Sequence, residues 1–168
     1  MSTQEPIEKK TIYEKVAHDS VSIIGIDVIT HNKDDKAVDD INGLWQRFIT
    51  EGIIERIPGS ISPEFVYAVY TDYEGDHEQP YRLIIGCAVD ANQDAPEGMV
   101  KHTIPAATYA LFRSRGEQPR SLIKTWETIW ASDLKRSFTS DFEVYGPRFY
   151  EAGLHEALIY ISLAQENN

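Results

Sequence analysis

From Ala106 to Leu163 the chain reads AATYALFRSRGEQPRSLIKTWETIWASDLKRSFTSDFEVYGPRFYEAGLHEALIYISL. Ala106–Arg113 (AATYALFR) is a strand that follows Pro105. Gly116–Pro119 is a turn whose proline suits a helix start. Leu122, Ile123, Trp126, Ile129, Trp130 and Leu134 recur at helical spacing across Ser121–Lys135. Phe142–Tyr145 (FEVY) is a short strand closed by Gly146-Pro147. Glu156–Leu163 (EALIYISL) is the last strand. The order is strand, helix, strand, strand.

Upstream the same order recurs. Ser20–Thr30 (SVSIIGIDVIT) is rich in β-branched residues and predicts a strand. Val38, Ile41, Leu44, Trp45, Phe48, Ile49 and Ile53 mark one stripe of a helix over 38–54. Two prolines and a glycine in Ile57–Pro63 (IPGSISP) end it. Phe65–Tyr73 and Tyr81–Asp90 then read as a hairpin around EGDHEQP. Val100–Ile104 reads as a further short strand. Two βαββ units, about 20–90 and 106–163, predict an α+β fold with a pseudo-twofold. Their strands form one antiparallel sheet with two helices on one face. A cleft between the helices and the sheet centre is then the place for a small ligand. Residues 1–19 are polar and read as a flexible arm, with 20–168 as a single domain.

The 168 residues suffice for one compact core. Asp plus Glu number 27 against 16 Lys plus Arg, a net −11. Such a surface repels phosphate backbones, which argues against direct nucleic-acid binding. It favours a cationic partner, or simply keeps the protein soluble. The longest apolar runs are strand-sized, so no membrane span is expected. The first 18 residues lack the apolar core of a secretory signal. A single cysteine, Cys87, within the apolar IIGCAV, fits a buried, inert thiol and a reducing cytoplasm. His18, His31, His77, His102 and His155 form no metal-ligand spacing, and no phosphate loop or nucleophile elbow is present. No metal, cofactor or catalytic residue is therefore expected.

The segments Pro96-Glu97-Gly98-Met99, Ile104–Phe112 (IPAATYALF), the Trp-bearing helix Leu122–Leu134, Asp141–Tyr145 (DFEVY) and Leu158–Ile161 (LIYI) resemble, in order and spacing, the GyrI-like domain. This is also called the AraC-type or Rob-type bacterial effector-binding domain. The resemblance spans about residues 20–163 and is best in the second half. It implies a duplicated βαββ fold and binding of lipophilic, often cationic, small molecules. In the family an acid in the FEVY-like segment meets the ligand's charge, and aromatic rings stack around it. That acid is Glu143 here. Regulators of the family carry a DNA-binding domain in front, and the stretch before Ser20 is too short for one. The expectation is therefore a stand-alone effector-binding protein. The resemblance leaves two other activities open. One is hydrolysis of strained cyclopropane-containing natural products, with Glu143 and Tyr145 or Tyr109 as the working pair. The other is modulation of DNA gyrase through a protein contact. A protein partner or a homodimer also stays open.

The residues themselves bear on Glu143 independently. In a strand, Glu143 and Tyr145 share one face and Phe142 and Val144 the other. An acid flanked by apolar residues and buried must raise its pKa, pair with a cation or accept hydrogen bonds. Trp45, Tyr67, Tyr109, Trp126, Trp130, Tyr145 and Tyr160 complete the candidate ligand-binding set. A cation over such a ring gains about 0.5–2 kcal/mol. Trp126 and Trp130, four apart, share one helical face. Periodicity alone does not separate pocket rings from core rings.

Overall fold

The computed structural model describes residues 13–76, 78–151 and 154–165. In chain order the elements are β1 (Glu14–His18), β2 (Val21–Thr30), α1 (Lys36–Thr50), α2 (Ile53–Arg56), β3 (Val66–Thr71) and β4 (Tyr81–Val89). Then follow β5 (Val100–Ile104), β6 (Ala107–Ser114), α3 (Arg120–Ala131), β7 (Ser140–Tyr145), α4 (Pro147–Tyr150) and β8 (Ala157–Ser162). The eight strands form one antiparallel sheet in the order β1-β6-β8-β7-β3-β4-β2-β5. The halves β2-β4-β3 and β7-β8-β6 meet at β3 and β7, as a pseudo-twofold requires. The α+β fold with two long helices on one face stands as expected.

Three details differ from the sequence reading. The polar start is not all arm: Glu14–His18 is a strand that pairs with β6 from Glu14↔Leu111 to His18↔Ala107. Its residues are polar because it is an edge strand with one solvated side. The first long helix stops at Thr50, because Gly52 takes a left-handed conformation (φ 58°) and only a short α2 follows. The second stops at Ala131, where the Ser132 hydroxyl donates to the Ile129 carbonyl.

The leading strand of each half is exchanged. β1 runs into β2 yet pairs with β6, and β5 runs into β6 yet pairs with β2. Each link is two residues, Asp19-Ser20 and Pro105-Ala106, so each spans at most about 11 Å between Cα atoms. The two ends of an eight-stranded sheet meet within that reach only if the sheet curls strongly. Gly25 and Gly86, paired in register across β2 and β4, allow this bend. A Cβ on Gly25 would lie 1.9 Å from the Ile85 carbonyl oxygen.

The curl explains a core that no helix covers. Ile23, Val69, Ile84, Ile104, Tyr109 and Phe142 are fully buried on the face away from the helices. The other face packs Ile24, Ile26, Leu83 and Ile85 under Leu44 and Phe48 of α1. It packs Ala110, Phe112, Ile159 and Ile161 under Ile129 of α3. Full burial of such side chains contributes about 1.5–3 kcal/mol each. α1 buries Ala37, Leu44 and Phe48, whereas α3 buries only Ile129. The second helix is the more weakly anchored layer.

Candidate functional site

The site grows from the central strand pair. β7 is buried at every position, so its alternation sorts side chains between two interiors rather than between core and solvent. Phe142 and Val144 enter the curled face; Asp141, Glu143 and Tyr145 face the helices. In register, Glu143 lies beside Ala68 on β3 and Ile159 on β8. The small Ala68 leaves room for the carboxylate.

Glu143 is 1 % exposed. Its Oε1 accepts from the Tyr145 hydroxyl at 2.6 Å. Its Oε2 accepts from the Trp126 indole nitrogen at 2.6 Å and from the Tyr70 hydroxyl at 3.1 Å. No lysine or arginine among the described residues forms an ion pair with it. Burial raises its pKa, and the bonds from Tyr145, Trp126 and Tyr70 partly offset that. Burial and the charge of Glu143 drive both tyrosine hydroxyls well above their ordinary range, so they remain protonated donors.

Further aromatic rings pack around the three donors to this carboxylate. Trp126 meets Tyr70 edge-on at 5.1 Å between centroids and Trp130 at 6.2 Å. Trp45 meets Tyr145 edge-on at 5.2 Å, and Phe149 meets it edge-on at 5.0 Å. Tyr81 lies 5.7 Å from Tyr70 and donates to Asn32. Trp130 is 40 % exposed and forms the outer rim. The expected hollow around an unpaired acid is therefore closed, with three neutral donors filling it. A surface groove of about 540 Å³ runs along the outer flank of α3, between Phe112, Arg113, Lys124 and Thr128, and does not include Glu143.

Of the eight expected residues, Glu143, Tyr145, Trp126, Trp130 and Trp45 come together. Tyr67, Tyr109 and Tyr160 do not. They lie on the curled face, where Phe142 stacks on Tyr160 at 4.5 Å and touches Tyr109 and Tyr67. Strand parity is the reason: Tyr67 is an odd number of residues from Tyr70, so only one of the two can face the acid. Tyr70, Tyr81 and Phe149 were missed. The same parity could have offered Tyr70, but only with the β3–β7 register in hand.

Two further polar groups lie on or next to β7, one on each face of the sheet. Asp141 is fully buried and pairs with Arg136 at 2.7 Å. It also accepts from Tyr73, from the Ser162 backbone N–H and from the Ser162 hydroxyl. The Arg136 guanidinium lies over the Phe138 ring at 4.2 Å. On the curled face, His102 Nε2 and Ser140 Oγ are 3.1 Å apart. The Thr71 hydroxyl donates to the Thr139 carbonyl, so Ser140 must donate to Thr71 and His102 to Ser140. That proton order runs opposite to the one a serine nucleophile needs. Among the described residues no group of three or more His, Cys, Asp or Glu could hold a metal ion, and no helix is long and apolar enough to cross a membrane.

The chain is similar in sequence to two proteins named as transcriptional regulators. YobU of Bacillus subtilis (strain 168), named as a candidate transcriptional regulator, is 25% identical over 126 residues, covering 73% of this chain and 79% of YobU. The transcriptional regulator BrlR of Pseudomonas aeruginosa is 29% identical over 116 residues; the match takes in 66% of this chain but only 41% of BrlR. The fold is shared with the integron cassette protein VCH_CASS2 from the mobile metagenome of Vibrio cholerae, with TM-score 0.67, 24% identity and coverage of 90% and 95% of the two chains. It is also shared with SAV2435 bound to tetraphenylphosphonium, with TM-score 0.74, 18% identity and coverage of 91% and 94%. The sequence pattern of the integron-associated effector binding proteins, Cass2, matches residues 15–163. With that match over nearly the whole chain, the protein belongs to the integron-associated effector binding family, whose fold is GyrI-like.

Proposed function

We propose that this domain binds a lipophilic cationic small molecule. Glu143 is the charge partner, Tyr70, Tyr145 and Trp45 are the walls, Trp126 is the ring that moves aside, and Trp130 is the rim. The observation that carries this reading is a completely buried carboxylate held by neutral donors alone. Burial of a carboxylate costs several kcal/mol. Each hydrogen bond to a charged group returns about 1.5–3 kcal/mol. The closed site is therefore tolerable as it stands, yet it keeps an uncompensated negative charge among rings whose faces favour cations.

Access follows from the layers. Tyr70 and Tyr145 are fixed on central strands, whereas Trp126 comes from α3, which buries one residue. A small tilt of α3 withdraws the indole and opens the carboxylate between the two helices. The net charge of −11 raises the local concentration of cations. The lipophilic cation on SAV2435, a protein of the same fold, supports the ligand class. The regulators among the relatives support an effector role in transcription control. A single buried cysteine fits a cytoplasmic setting.

The test is a fluorescence titration with tetraphenylphosphonium. Trp126 lies on the carboxylate, so binding quenches or shifts tryptophan emission at micromolar ligand. In Glu143→Gln the affinity falls at least tenfold. Equal affinity in that variant removes Glu143 from the site.

A further inference from the structure

The Trp126 indole stands on Glu143 much as an aromatic ligand with a donor would. Its N–H points at Oε2 at 2.6 Å, and its ring packs against Tyr70 and Trp130. Its donation can be withdrawn without disturbing the sheet, because the other two donors sit on β3 and β7. We infer that the indole occupies the place of the ligand's cationic head, and that the site consequently selects cations bearing an N–H over quaternary cations of the same shape. This rests on the proposed cation site.

The acceptor count supports the selection. A carboxylate offers about four acceptor positions. Tyr145 and Tyr70 hold one each in both states. Departure of Trp126 frees an Oε2 position already aligned with a donor from the helix layer. A protonated amine refills it with a charge-assisted bond, which is shorter and stronger than a neutral one. A quaternary cation leaves it empty inside a water-excluded site, where an unmade bond is costly. The stronger hydration of an N–H cation opposes this, but the carboxylate oxygen replaces the lost water directly.

A matched pair tests it: N,N-dimethyl-1-naphthylmethylammonium, with one N–H, and its N,N,N-trimethyl analogue, with none. Both are titrated calorimetrically at neutral pH into the wild-type protein, Trp126→Phe and Glu143→Gln. The expected result is about tenfold tighter binding of the tertiary ammonium to wild type. Trp126→Phe keeps the ring and removes the competing donor, so both compounds tighten and the preference persists. In Glu143→Gln both weaken and the preference disappears. Equal or tighter binding of the quaternary compound, still dependent on Glu143, overturns the selection and leaves the cation site standing. Absence of binding by either compound overturns the cation site and the selection with it.

Discussion

Asp141 and Glu143 stand two residues apart on one buried strand, on the same face of the sheet, and their charges are met in opposite ways. Asp141 has an arginine, two hydroxyls and a backbone N–H. Glu143 has two phenols and an indole. The first is a buried structural ion pair, in which Arg136 Nη2 meets Asp141 while its Nε and Nη1 have no hydrogen-bond partner. The second is a carboxyl group with no ion-pair partner among the described residues, placed where the two halves of the fold meet.

Loss of the Asp141 charge should therefore damage the fold. In Asp141→Asn the Arg136 guanidinium, 5 % exposed, stays buried without its partner. Destabilisation of about 3–5 kcal/mol is expected in denaturant unfolding. Glu143→Gln under the same conditions should cost far less, because its neighbours are neutral. Similar losses in both variants would mean that Glu143 has a countercharge too.

Glu143 also predicts a pH dependence. Burial, the largest influence, holds its folded-state pKa above the ordinary value of 4.5. A raised folded pKa gives a contribution that is complete below 4.5 and lost as pH rises through the folded value. Wild-type stability should thus decline relative to Glu143→Gln as pH climbs from 4 toward neutrality. Urea melts of both proteins across that window measure the difference. A difference independent of pH would contradict the raised pKa.

Cys87 should be silent in the native protein. Its thiol is buried on β4, and burial pushes its pKa up to about 11. A disulfide reagent at pH 8 should label it only as fast as the protein unfolds. Stoichiometric labelling within seconds of mixing would show that the strand opens locally.

The curl of the sheet has its own test. In Gly25→Ala the new methyl would overlap the Ile85 carbonyl oxygen, which is backbone and cannot move aside. A loss of more than about 2 kcal/mol is expected, well above the usual strand preference for alanine over glycine. A neutral or stabilising effect would mean the strands are not this close.

The parts of the fold that depend on local pattern were readable before the structure. β-branched runs gave β2, β4 and β8, the apolar stripe gave α1, and alternation in FEVY put Glu143 and Tyr145 on one face. The unreadable parts depend on which strand meets which. Nothing in the polar Glu14–His18 announces that it pairs with β6 rather than with its neighbour β2. β7 is buried on both faces, so its two aromatic neighbourhoods look alike in sequence, and Tyr67, Tyr109 and Tyr160 fall on the wrong side. Of the donors on Glu143, Tyr145 is its neighbour on β7, whereas Trp126 comes from α3 and Tyr70 from the distant β3. Only the β3–β7 register and the lie of α3 bring them together.

Central to the account is the sign of the charge that Glu143 receives. Tetraphenylphosphonium and tetraphenylborate have nearly the same size and shape and opposite charge. The account predicts that the wild-type protein binds the phosphonium and discriminates strongly against the borate. It also predicts that the Glu143→Gln variant, whose net charge is only one unit less negative, loses most of that discrimination. Equal binding of the two ions by wild type, or discrimination unchanged in the variant, would contradict it.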